Sequence, residues 1–318
     1  MGRHISPAFF TFYFFEKVIN KCKGEIVMKQ SIYEAVTNEL VAKLEKGVKP
    51  WECPWKRTML GLPKNFKTGN TYRGVNILLL WLTAIEKGFA ADSWLTFRQA
   101  SKLGYKIKKG EHGTKCIYFK ISEKKIEDED SDKKRVIKYP MPMTFVVFNL
   151  NQIEGMETEK QPILENPIEK AEQIVQTSGA AIEFDCNKAY FSLSKDKIYM
   201  PLPQNFRSDE DYYATLLHEL THWTGDKKRL NRFKPHGKHN ESESDYAFEE
   251  LVAEIGSAFL CAELGVVGEF QHASYIDWWL KLLRSDKRLI FKAAKLAQES
   301  FDYLTLQTNA GLQKAINA

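Results

Sequence analysis

The five residues His218-Glu219-Leu220-Thr221-His222 constrain this chain more than any other stretch. Histidines four apart on a helix project from one face, so two imidazoles at that spacing can hold one metal ion. Glu219 lies between them, beside the metal rather than on it. There it can take a proton from metal-bound water and pass it to a leaving group. Such strings also arise by chance on solvated helices, so the context decides. Residues 209–224 are predicted to form a long helix, with Ser208 as N-cap, Asp211 three residues on, and Gly225 at its end. Leu216, Leu217 and Leu220 give that helix an apolar side, and short strands predicted near 181–186, 189–194 and 197–200 precede it.

A third ligand has a source on the next long helix, predicted over about 244–264. The run Phe248-Glu249-Glu250-Leu251-Val252-Ala253-Glu254 is similar to the Glu-bearing helix of gluzincins, the group that includes thermolysin-like peptidases. In that group the third ligand is a Glu, and an acidic residue four positions later orients a ligand histidine. Glu250 with Glu254 matches the spacing. Glu250 ranks first as the ligand, Glu254 second and Glu249 third, since Glu249 points about 100° away from Glu250 around a helix. Two His and one Glu leave a position open for water, which zinc, or another divalent ion such as manganese, would acidify. Tyr246, His236 and His239 are candidates to stabilise the developing oxyanion.

The N-terminal half has a different character. Residues 1–150 hold 27 Lys and Arg against 15 Asp and Glu, whereas residues 151–318 hold 19 against 26. Within 40–120 the balance is 16 basic to 5 acidic. That excess points to a polyanionic partner, nucleic acid first. Trp51, Trp55, Lys56, Arg57, Tyr72 and Arg73 interleave rings with cations, and Asn76, Trp94, Lys108, Lys109 and Lys115 continue the candidate surface. Rings stack unpaired bases and cations follow phosphates. No helix-turn-helix or zinc-finger pattern occurs, which argues against sequence-specific duplex reading and for single-stranded DNA.

The remaining pattern gives an α+β chain of two domains. Helices are expected over 31–47, 75–87 and 96–103, with strands at 115–120 and 143–148. The apolar-free run 127–135 is expected to be a solvated hairpin tip or a disordered insertion. Residues 157–167, with Pro162 and Pro167, are the expected linker. It would separate a DNA-binding domain (28–156) from a metallopeptidase domain (168–318), each with its own core. Further helices are expected at 168–177, 272–284 and 286–304. Residues 1–27 do not resemble the rest of the chain and are read as an extension. The apolar run Phe9–Phe15 is too short to span a bilayer, and no signal-peptide cleavage site comes after it. Five scattered cysteines without a CxxC pair argue for a reducing, cytoplasmic setting.

From about residue 31 to 306 the chain resembles the plasmid-associated antirestriction proteins of the ArdC type. The likeness rests on Pro54-Trp55, Pro63-Lys64-Asn65, Thr68-Gly69, Tyr72-Arg73-Gly74-Val75-Asn76, Trp94-Leu95-Thr96-Phe97 and Lys109-Gly110-Glu111 in the first half. In the second it rests on Tyr213 to Gly225, Arg229-Leu230-Asn231-Arg232, Glu249 to Glu254, and Phe259 to Gly265. The resemblance implies an N-terminal single-stranded-DNA-binding domain, a C-terminal zincin-like domain, and protection of incoming conjugative DNA from host restriction. Two rival functions share this architecture. One is a non-enzymatic DNA-coating protein with a structural metal; the other is a protease acting on DNA-bound proteins, its substrate unknown.

Overall fold

The apolar face of the first helix, α1 (Ile32–Leu44), sets the pattern for the whole molecule: Val36, Thr37, Leu40, Val41 and Leu44 are all buried. In the computed structural model the described residues are 31–49, 51, 61–128, 131–156, 166–184, 187–233, 243–268 and 275–316. The expected extension and residues 157–165 of the expected linker lie outside them.

The N-terminal half is built on a four-stranded sheet. A short β1 (Lys64–Asn65) pairs in parallel with β2 (Ser93–Thr96), which runs antiparallel to β4 (Ser131–Asn149), itself paired with β3 (Thr114–Asp128). Between β1 and β2 lies α2 (Val75–Lys87), apolar on most sides and therefore buried. It stops at Gly88, whose φ of 67° lets its N–H reach back to the carbonyls of Ala84 and Ile85. A capping box of Thr96 and Gln99 starts the short α3 (Phe97–Lys102).

The charged run closes a hairpin, the first of its two expected forms, on strands longer than expected. Strand pairing does not stop at residue 120 but continues through the charged run to Asp128 opposite Ser131. A two-stranded ribbon needs no buried face to extend its backbone ladder, so charged residues on both faces do not end it. Lys138 and Glu123, directly opposite one another, form an ion pair across it.

The second half opens with α4 (Pro167–Ser178) and a small sheet in the order β5 (Ala181–Phe184), β7 (Lys197–Met200), β6 (Tyr190–Ser192). The helix α5 (Asp209–Trp223) begins as expected, with the Ser208 hydroxyl accepting the Asp211 N–H at 3.2 Å. Three acidic residues in its first turn complement the helix dipole. Then come α6 (Glu243–Leu264), α7 (Ile276–Ser285) and α8 (Leu289–Ile316), the last running twelve residues beyond its expected end at 304.

The helices α5 and α6 cross at Gly256. A Cβ there would lie 2.6 Å from the Thr221 Cγ2, so only glycine admits the approach. Thr221 precedes His222, and Gly256 comes after Glu250 on the same helix; the crossing therefore brings the motif helix to the glutamate helix.

The two domains share their largest core, beside two smaller clusters within the N-terminal half. One apolar cluster runs from Val36, Leu40 and Trp51 through Ile77 and Trp81 to Phe259, Trp279 and Leu304. Trp81 meets Phe259 edge-on at 5.8 Å, and Trp51 meets Trp279 at 5.4 Å. Polar contacts run along the same seam: Gly74 N–H to Gln298 Oε1 at 3.0 Å, Thr37 Oγ1 to the Lys287 carbonyl, and an ion pair of Arg73 with Asp302. The expectation of independent cores is corrected. The sheet covers Leu80 and Ala84 of α2, while the apolar face of α1 and the other side of α2 find their partners in the C-terminal helices.

Candidate metal centre

The first two turns of α5 carry the cap and the packing residues; the last two carry His218, Glu219 and His222. All three are enclosed: His218 and Glu219 are buried, and the His222 side chain is 12% exposed. From α6, Glu250 reaches the same point. The Nε2 atoms of His218 and His222 stand 3.2 Å apart, and each lies 3.5 Å from a carboxylate oxygen of Glu250. For tetrahedral metal bonds of about 2.0–2.2 Å, neighbouring donors stand roughly 3.3–3.6 Å apart. The separations therefore suit donors that share one first-row divalent cation. Among the described residues, His218, His222 and Glu250 are the cluster of His, Cys and acidic groups able to hold an ion. Glu254 is buried one turn further along α6.

The residue that orients His222 lies one position before Glu250. Glu249 Oε1 lies 3.2 Å from His222 Nδ1. Its carboxylate is gripped in turn by Arg232, with Nη2 at 2.6 Å and Nε at 2.9 Å. The same guanidinium donates to Ser300 Oγ, Thr224 Oγ1 and the Thr221 carbonyl, and its side chain is only 3% exposed. Arg232 is brought there by a reversal after Gly225: Asn231 adopts φ 48°, and the Arg232 N–H bonds the Gly225 carbonyl. Sequence reasoning ranked Glu249 last for ligation and assigned no role to Arg232.

Burial and partners compete over the protons here. Burial would lower His222, but hydrogen bonds to Glu249 and Glu250 outweigh it and push its pKa up to about 10. Burial wins at His218, which is held below the ordinary histidine value. Burial opposes ionisation of Glu250 and of Glu249. The imidazoles keep Glu250 far down in spite of it, and Arg232 with His222 does the same for Glu249.

The candidate DNA residues are scattered over several environments. Trp51 and Trp94 are core residues, 0% and 1% exposed, and offer no ring to a base. That expectation is corrected: the rings fill the seam and the sheet interior. Asn76 is a clamp on β3, its amide exchanging two 2.7 Å bonds with the backbone of Ile117, so it too is corrected to a structural role. Tyr72 is half-buried and stacked on Phe145, its hydroxyl near Asn65. Lys108, Lys109, Lys115 and Arg73 are exposed. Trp55, Lys56 and Arg57, and the oxyanion candidates His236 and His239, lie outside the described residues. Two exposed rings were missed: Tyr118 and Phe119, 46% and 47% exposed, between Lys115 and Lys120 on β3.

Two family models match. One, the N-terminal domain of the anti-restriction factor ArdC, covers residues 30–148; the other, a zincin-like metallopeptidase, covers residues 169–296. The crystal structure of the antirestriction ArdC protein from plasmid R388 superposes in its metal-free form with a TM-score of 0.75. It is 38% identical, over 88% of this chain and 99% of that one. The chain belongs to the ArdC antirestriction family. The Mn(II)-bound form of the R388 ArdC protein superposes with a TM-score of 0.71, over 88% of this chain and 98% of that one. An uncharacterized protein of Sinorhizobium fredii, y4eC, is 36% identical over 87% of this chain and 92% of its own length. A DNA primase TraC of Escherichia coli is 36% identical over 295 residues, 87% of this chain, but the match spans only 27% of the primase. As an ArdC-family member the chain is α+β with two domains, the second zincin-like and implying a bound metal. No helix among the described residues is long and apolar enough to cross a membrane.

Proposed function

We propose that this protein binds single-stranded DNA through its N-terminal domain and hydrolyses peptide bonds at the His218, His222, Glu250 centre, protecting incoming mobile-element DNA in the cytoplasm. The observation that carries the hydrolytic half is the convergence of His218, His222 and Glu250 at metal-binding separations, with Glu219 buried on the helix that carries both histidines. A bound divalent ion, zinc or manganese, supplies Lewis acidity toward the substrate carbonyl and lowers the pKa of water. Every other part belongs to the chain. His218, His222 and Glu250 hold the site, and Glu249, backed by Arg232, fixes the ring of His222 through its Nδ1. Glu219 takes the proton from the attacking water and delivers it to the leaving amine.

The DNA half is supported by the family match over 30–148, by exposed Lys115 and Lys120 on the strand that carries the open rings of Tyr118 and Phe119, and by exposed Lys108 and Lys109. The R388 ArdC protein is an antirestriction protein of a plasmid, and TraC is a DNA primase; both suit a DNA partner.

The test incubates the full chain with an unstructured protein and zinc or manganese, with and without single-stranded DNA. Fragments should form only with metal, and Glu219→Gln should slow their formation by about 10²-fold or more. Equal cleavage by wild type and Glu219→Gln overturns the hydrolytic reading.

A further inference from the structure

The face of α6 that presents Glu250 continues toward the helix start as Tyr246, Ala247 and Glu243, at positions i−4, i−3 and i−7. Over these residues lies a cavity of about 430 Å³, lined by Glu243, Tyr246, Ala247, Tyr275 and Trp278. That volume is in the range of small-ligand pockets, roughly 300–1,000 Å³. Its floor is fixed: Ala247 is buried, and its carbonyl accepts the indole N–H of Trp279 at 3.1 Å. Its walls are rings. The hydroxyls of Tyr246 and Tyr275 lie 3.2 Å apart, tying α6 to the start of α7. Tyr246 stands one helical turn before Glu250 on α6, so the cavity lies one turn along that helix from the metal centre.

Distance along the helix fits a substrate side chain. At about 1.5 Å per residue, Tyr246 and Ala247 stand roughly 5–6 Å from Glu250 along the axis and Glu243 about 10 Å. An extended peptide advances about 3.3 Å per residue, so a residue one or two positions from the scissile bond reaches the cavity.

The chemistry of the lining selects what enters. Three electron-rich rings with a carboxylate at one end suit a long aliphatic stem ending in a cation. Trp278 already carries such a group, the ammonium of Lys281 at 4.8 Å from the ring centre. We propose that this cavity is a substrate subsite for an arginine or lysine side chain, its stem against Tyr246 and Tyr275 and its charge toward Glu243. This rests on the hydrolytic reading for its purpose, though not for its detection. A preference for basic residues suits substrates that themselves sit on DNA, because such proteins are rich in them.

Binding tests the subsite without turnover. Three fluorescent alanine-based peptides, identical except for one central arginine, norleucine or glutamate, are titrated by anisotropy into zinc-loaded full-length Glu219→Gln protein. The arginine peptide should bind about tenfold tighter than norleucine, with glutamate weakest. Adding Glu243→Gln, an isosteric change on an exposed first turn, should close most of the arginine–norleucine gap. Adding Tyr275→Ala should weaken both peptides. Norleucine binding as tightly as arginine, or affinities untouched by both changes, overturns the proposal. The same arginine peptide is then given to the wild-type protein with zinc. Arginine-selective binding without cleavage would remove the hydrolytic reading and leave the subsite standing; cleavage beside the arginine supports both.

Discussion

Replacing Arg232 with methionine tests the least expected part of the site. The guanidinium donates to both oxygens of Glu249, to Ser300, to Thr224 and to the Thr221 carbonyl, with its side chain 3% exposed. Methionine keeps the length and apolar stem but leaves Glu249 with His222 as its remaining charged partner. Removing one member of a buried, hydrogen-bonded ion pair costs about 3–5 kcal/mol. The Glu249 side chain keeps 16% exposure, which favours the lower end, about 3 kcal/mol. For a chain of this size that is a fall of about 2 °C per kcal/mol, or about 6 °C in melting temperature. Metal affinity should fall about 10–100-fold, because the ring of His222 loses its fixed orientation. Arg232→Lys should not rescue either quantity, since an ammonium cannot reproduce a bidentate grip. Thermal melts with chelator give the first number, and zinc titration against a competing chromophore gives the second. A variant that melts with the wild type and binds zinc within twofold of it would refute the positioning role.

Three further outcomes come from the geometry. Gly256→Ala places a methyl against Thr221 Cγ2 and should cost about 1–3 kcal/mol in chemical denaturation; Thr221→Ser in the same chain should recover part of it, and no coupling between the two would count against the close crossing. Changing Lys108, Lys109 and Lys115 together to alanine should weaken single-stranded DNA binding and reduce the log–log salt slope by about 0.7 for each lysine that meets a phosphate, leaving zinc affinity unchanged. A fragment of residues 28–156 should fail to give a cooperative melt, because Leu40, Trp51, Ile77 and Trp81 lose the helices that cover them; a sharp transition would show that the shared core is dispensable.

Local signals and shared ones were unequally legible. The motif helix was readable because its cap, its apolar side and its stop are encoded within eighteen residues, Ser208 to Gly225. Glu250 was readable by its spacing to Glu254 in a known kind of site. Glu249 was not, because a ligand's helper need not share its helix face when a third element supplies the grip. Arg232 reaches Glu249 only through the left-handed turn at Asn231, which no periodicity announces. Among the aromatics, alternation of rings and cations could not separate Trp51 and Trp94, which fill the interior, from Tyr118 and Phe119, which face water. Periodicity identifies the apolar face of α1 and α2; it is silent on which helix covers that face.

The continuous core has a consequence for inheritance. A gene segment encoding only one domain would leave its side of the shared core uncovered, and such exposed apolar surface is prone to aggregate. Selection on mobile elements would therefore pass the two domains on as one cassette. Within the far longer TraC primases the matched stretch still spans 87% of this chain, while amounting to 27% of one primase and 20% of another. The unit that moves between hosts and between architectures is then the hydrophobic core itself, and the DNA face and the metal cleft travel with it as passengers.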